Sequence, residues 1–255
     1  MSNVAIHIGF PKTGSTFLQA YFAEHPCIHY DRSVFRHYQE TGQVGDELLP
    51  KEISGKHYVL SEEHLSIWAG RPEKNELKTY NINYDIRQMQ ATVANRLAAI
   101  FPGAKVLIVT REYDSLISSL YSQYLLTGGT CSFSHFSTHH SALVRQMYDY
   151  QYVSHTYQQQ FGAANVLQLP YELLLQNPKD FLHEIEQFFG FPHFKFNGHV
   201  INPSIHRKWM NAVRLISMVA LPTLKLLPES MRQKTYLRYC KFLYQLKETR
   251  QHKPI

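Results

Sequence analysis

At 255 residues, 44% of them hydrophobic and only 18% charged, the chain is long and apolar enough for one sizeable α/β domain with a full core. A formal charge of +6 suits an anionic ligand, but no run of Lys and Arg is dense enough to favour nucleic acid. Three widely spaced cysteines (Cys27, Cys131 and Cys240) argue against a disulfide framework, and no window reaches the ~18 apolar residues of a membrane span.

Val4 to Gly9 is a short apolar run ending in Gly and Pro, which predicts a buried first strand rather than a signal peptide. With the cysteine pattern, it makes the cytoplasm the expected location. Pro11-Lys12-Thr13-Gly14-Ser15-Thr16 follows, then Phe17 to Phe22 at helical spacing. Further strands are expected at His57 to Ser61, Lys105 to Thr110 and Asn165 to Leu169. Ile86, Met89, Val93, Leu97 and Ile100 recur close to every 3.6 residues and predict a helix over Tyr84 to Phe101, stopped by Pro102-Gly103. More helices are expected from Asp114, as N-cap, to Leu126, from Ser141 to Phe161, and around Phe181 to Phe189. Gly128 to His140, rich in Gly, Ser, Thr and His, is expected as a mobile loop beside an acceptor. Alternating strands and helices imply a single α/β domain with a central, mainly parallel sheet flanked by helices. Ligands of such sheets bind beyond the carboxyl ends of the strands, where the motifs below lie. Residues 1–208 form the expected core, and 209–255 a basic helical extension packed on it.

Gly9-x4-Gly14-Ser15-Thr16 has the spacing of a phosphate-cradling loop, in which glycines let backbone N–H groups approach phosphate oxygens. A nucleoside-triphosphatase needs Lys directly after the second Gly. Here Ser15 stands there and the lysine, Lys12, lies inside the loop. At the third strand's end, where a metal-dependent enzyme presents an Asp, stands Arg111, followed eight residues later by Ser119. The first loop and Arg-x7-Ser together resemble the two donor-binding motifs of the sulfotransferases that use 3′-phosphoadenosine-5′-phosphosulfate (PAPS), particularly the bacterial type. A departure is Tyr113, where that family often has Pro.

The resemblance covers about residues 4 to 208. It implies a P-loop-like sulfotransferase fold and in-line, metal-independent transfer of a sulfuryl group from PAPS to a hydroxyl or amine acceptor, with a carbohydrate favoured. By it Pro11 to Thr16 form the donor loop. Lys12 contacts the bridging oxygen and the sulfuryl group, and Thr13, Gly14, Ser15 and Thr16 the 5′-phosphate. Arg111 and Ser119 hold the 3′-phosphate. Ser61-x-Glu63 matches the bacterial-type pattern for a catalytic Glu, while His64 matches small-molecule enzymes; Glu63 is the first choice of base and His64 the second. Tyr171, in a strand-Tyr-Glu segment, is a candidate to stack on or hydrogen-bond the adenine, and Arg207 or Lys208 to close over the 3′-phosphate. His135, His139 and His140 raise a metal site, but without the Glu of His-Glu-x-x-His or an acidic third ligand no metal is expected. From Met210 the chain is basic and apolar. It is expected as a helical pair completing the core, with docking on an anionic membrane as the other reading. A P-loop kinase and a non-catalytic adenosine 3′,5′-bisphosphate-binding module remain the alternative functions.

Overall fold

Five short segments pair into one parallel sheet in the computed structural model, which describes residues 4–35, 38, 43–49, 56–67, 84–198, 205, 207–226 and 228–249. The strands are β1 (Val4–Ile8), β2 (Ile28–Tyr30), β3 (His57–Glu62), β4 (Lys105–Thr110) and β5 (Val166–Pro170), in the order β2-β3-β1-β4-β5. Four match the sequence expectation. The fifth, β2, is three residues long with one buried side chain, too short to show a period.

The chain divides into two compact units. The first comprises Met1–Arg71, Ile82–Glu112 and Arg145–Ile201; the second comprises Pro72–Asn81, Tyr113–Val144 and Asn202–Ile255. All described strands lie in the first unit, with helices α1 (Ser15–Glu24) and α2 (Ile86–Ile100). Asp85 caps α2, its carboxylate accepting the N–H of Gln88 at 3.1 Å.

Every residue of β1 is buried, as expected for a central parallel strand covered on both sides. Ala5, Val59, Leu107, Val109 and Leu169 turn to one face and pack with Phe17, Leu18, Tyr21 and Phe22 of α1. Leu174, Phe181, Ile185 and Phe189 from two later helices, α6 (Tyr171–Gln176) and α7 (Pro178–Phe189), complete that cluster. Ile6, Ile8, Leu60, Val106 and Ile108 alternate to the other face.

In the second unit, α3 (Tyr113–Leu126) begins one residue earlier than expected, so Asp114 sits in the first turn instead of capping it. Its charge still favours the helix's positive end. The expected mobile loop is corrected. Residues 133–140 belong to α4 (Phe133–Met147), because Ser132 Oγ accepts the N–H of His135 and Phe136 and Val144 are buried on its inner face. The turn before it is pinned by the Tyr124 hydroxyl, which accepts N–H bonds from Thr130 and Cys131. Composition outweighed a helical period there. The long helix expected over Ser141 to Phe161 is likewise two. The Asp149 side chain accepts the N–H of Tyr152 and starts α5 (Tyr150–Phe161).

The C-terminal segment forms α8 (Arg207–Lys225) and α9 (Glu229–Thr249). Their inner faces meet at Ser217 and Tyr239, whose hydroxyls lie 2.7 Å apart, and Tyr236 donates to the carbonyl of Thr127. Among the described residues no helix is long and apolar enough to cross a membrane.

Candidate active site

Register brings the ends of four strands to one edge of the sheet. Ile8 pairs with both Glu62 and Ile108, and Thr110 pairs with Pro170. The residues just beyond are therefore neighbours: the Gly9 loop after β1, Glu63 after β3, Arg111 after β4 and Tyr171 after β5.

The loop is built for close backbone approach. A Cβ on Gly9 would lie 2.8 Å from the Glu63 Cα and 2.9 Å from Ser15 Oγ, so only glycine lets β3's end and the loop touch. Ser66 ties the same junction by donating to the Gly9 carbonyl at 2.6 Å. Thr13 and Ser15 are buried and both donate to the Phe10 carbonyl, closing the turn, while Thr16 is exposed. Lys12 takes φ 69°, a left-handed conformation for which a residue other than glycine pays about 1–2 kcal/mol. Strain of this kind gathers where backbone and side chain must point at a ligand. Gly14, at φ 86°, starts α1 with no side-chain cap, and no acid stands in the first turn. A helix start without cap or acid leaves backbone N–H groups and the positive end of the helix dipole able to favour an anion.

Arg111 reaches this loop. Its Nη1 donates to the Lys12 carbonyl at 2.6 Å, and its guanidinium stands 4.6 Å from the centre of the Tyr171 ring. Burial works against the guanidinium's charge, while Tyr171, Glu172, Tyr150 and Tyr148 around it work in its favour. The structure thus brings Lys12 and Arg111 together. Tyr171 is 9% exposed and lies under the loop, within 3.1 Å of where a Gly14 Cβ would stand. Its ring contacts the arginine and the loop.

The acid–base cluster ends β3. Burial raises the Glu63 carboxyl above its ordinary 4.5, partly opposed by the nearby charges of His64 and Lys12. Glu62, which the sequence reading left without a role, is fully buried. Its Oε1 accepts from His64 Nδ1 at 2.8 Å and from the His64 backbone N–H at 3.2 Å. That carboxylate raises the His64 pKa above 6.5 and, by taking Nδ1–H, fixes which ring nitrogen keeps the lone pair. Arg32 approaches the other Glu62 oxygen at 3.8 Å. A glutamate at the end of a strand covered on both faces is itself a signal, since such a charge requires partners. Arg32 carries no comparable signal.

His7 stays outside this chemistry. It is buried, bonded to Ser61 at 2.8 Å, and burial lowers its pKa to about 3. An aromatic wall was also missed: Tyr148 donates to the Pro11 carbonyl at 3.2 Å and packs with Phe10 and Tyr150. Two adjacent tyrosines bracketing Asp149 were the available hint.

The remaining candidates belong to the second unit. Ser119 is buried on α3. Arg207 and Lys208 open α8, while residues 202–204 and 206 of the expected closing loop lie outside the described residues. On α4 the His135 and His139 rings stack 5.8 Å apart.

Comparison with known proteins gives a match to the model of the "Sulfotransferase family" over residues 5–195. Among solved structures the chain is similar to a sulfotransferase from Alicyclobacillus acidocaldarius, at 17% identity and a TM-score of 0.41, covering 91% of this chain and 98% of that one. No curated protein matches.

Proposed function

Because the chain belongs to the sulfotransferase family, we propose that it transfers a sulfuryl group from PAPS to a hydroxyl or amine acceptor, with no metal taking part. The observation that carries this reading is the 2.6 Å bond from Arg111 to the Lys12 carbonyl, which sets two cations beside an uncapped helix start.

In this reading the N–H groups of Gly14, Ser15 and Thr16, with the hydroxyls of Ser15 and Thr16, hold the 5′-phosphate, and Thr13 shapes the turn. Pro11 presents its carbonyl to Tyr148 and so sets the loop's outer edge. Lys12 stabilises the charge that grows on the bridging oxygen as the S–O bond to the 5′-phosphate breaks. Glu63 takes the acceptor's proton as its oxygen bonds to sulfur, leaving adenosine 3′,5′-bisphosphate and the sulfate ester. His64, held toward its charged form by Glu62, is the second candidate. Arg111 binds the 3′-phosphate. Ser119 joins it by the Arg-x7-Ser spacing alone, and Arg207 or Lys208 by position in the chain. Tyr171 supports Arg111 and offers an adenine contact.

A carbohydrate, free or lipid-linked, is the favoured acceptor, and the cytoplasm the favoured location, in keeping with three free thiols. Core residues 1–208 supply the donor site of this proposal, and 209–255 the extension.

The test offers ³⁵S-labelled PAPS with glycans, phenols, steroids and lipids, with and without a chelator. Labelled product at an undiminished rate in the chelator is the expected result. Magnesium-dependent transfer from ATP would replace this reading with a kinase. Equal affinity for PAPS and the bisphosphate, with no label transferred to any acceptor, would replace it with a binding module.

A further inference from the structure

The second unit ends in a surface that its own core leaves uncovered. On α8, Met210, Val213 and Ser217 are buried, while Leu215, Met218 and Val219 are 55%, 47% and 71% exposed, and Leu226, in the turn just past the helix, is 85% exposed. Leu215, Val219 and Pro222, also exposed, then Leu226 fall at successive spacings of four, three and four residues, with Met218 beside them, one stripe along the helix and the turn that ends it. On α9, Leu243 is buried, while Lys234, Leu237, Arg238, Lys241 and Phe242 share the exposed face at i, i+3, i+4, i+7 and i+8.

Charge decides what such a surface fits. The two helices carry nine Lys and Arg (Arg207, Lys208, Arg214 and Lys225, then Arg232, Lys234, Arg238, Lys241 and Lys247) against Glu229 and Glu248 alone. That is four plus five positive against two negative, and α8 has no acid along its length. A second copy meeting the same face through a two-fold axis would set these cations against their equals. A negatively charged lipid surface attracts them, and its boundary region accepts the leucine, valine and phenylalanine side chains between them. Length argues the same way. Nineteen residues make α8 about 28 Å long, but it is too polar to cross a bilayer, which leaves the bilayer surface as the place for its apolar stripe.

We propose that the outer faces of α8 and α9 dock the protein on an anionic phospholipid bilayer, with Leu215, Val219, Leu226 and Phe242 entering the interface and Arg238 and Lys241 pairing with head groups. The inference stands apart from the donor site, since none of these residues belongs to it.

The experiment is co-sedimentation of the full chain with phosphatidylcholine vesicles, with and without phosphatidylglycerol. Binding is expected only to the anionic vesicles, falling as salt is raised. Arg238→Ala lowers the partition coefficient about 5-fold and R238A/K241A about 25-fold. Val219→Asp, at an exposed position, abolishes binding while far-ultraviolet circular dichroism stays unchanged; should it alter the spectrum, R238A/K241A decides the matter. Equal binding to neutral and anionic vesicles, no binding to either, or a dimer in light scattering that Val219→Asp dissociates would each overturn the proposal.

Discussion

Glu62 grips His64 at two atoms, the ring Nδ1 and the backbone N–H, from a position with no solvent exposure. The residues are neighbours but one in sequence, and the strand ends between them. The chain turns into a short 3-10 segment at Glu63, which lets the imidazole fold back onto the carboxylate. One buried charge is thereby paired, as burial demands.

This pairing predicts a pH-dependent stability. The carboxylate raises the folded-state pKa of His64 above its unfolded value of 6.5. A raised histidine contributes fully below the unfolded value and loses its contribution as pH rises through the folded one. Urea denaturation at a series of values from about pH 6 to pH 9 should show the wild type losing stability toward the alkaline end, and Glu62→Gln should flatten that slope. An unchanged slope in the variant would remove Glu62 as its source.

Glu63 should set the acid limb of the rate profile. Burial raises its pKa above 4.5, so the ionised base is lost as pH falls through a value higher than that of an exposed glutamate. Glu63→Gln is expected to lower kcat by roughly 10²- to 10⁴-fold and to remove the limb, while PAPS affinity changes little. If His64→Gln has that effect and Glu63→Gln does not, the base is His64.

Arg111→Ala should weaken PAPS binding about 30-fold, the equivalent of about 2 kcal/mol for a bond to a charged group. Arg111→Lys restores the charge but not the planar fork that reaches Lys12 and lies over Tyr171, so only partial recovery is expected. Calorimetric titration with PAPS measures both. Parental affinity in Arg111→Ala would end the assignment of this arginine to the donor.

Lys12→Gly should separate stability from activity. Glycine adopts φ 69° without penalty, so the variant gains about 1 kcal/mol in thermal unfolding while turnover falls about 10²- to 10³-fold. A variant no more stable than the parent would show that the loop carries no strain at this residue.

Much of this was legible in the chain. Apolar runs with flanking Gly and Pro marked four of five strands, because a buried parallel strand has few other compositions open to it. Gly9, Lys12, Gly14 and Arg111 could be singled out in the chain, because close backbone approach and fixed cations need those residue types at those spacings, and the structure brings Arg111 to the loop. Elements whose signal is spread over composition fared worse. β2 was too short to show a period, and the Ser- and His-rich stretch of α4 resembled a loop until Phe136 and Val144 were seen buried on one face.

By itself, then, the sequence determined that a strand, a glycine loop and an uncapped helix start would follow one another, since that depends on neighbours within a few residues. Only the tertiary structure decided that Arg111 bonds the carbonyl of a residue 99 positions earlier, that Glu62 and not Glu63 pairs with His64, and that Tyr171 underlies the arginine. The arginine's two contacts follow from strand order, which sets β4 between β1 and β5, and the Glu62–His64 pair from the turn that the chain takes at Glu63.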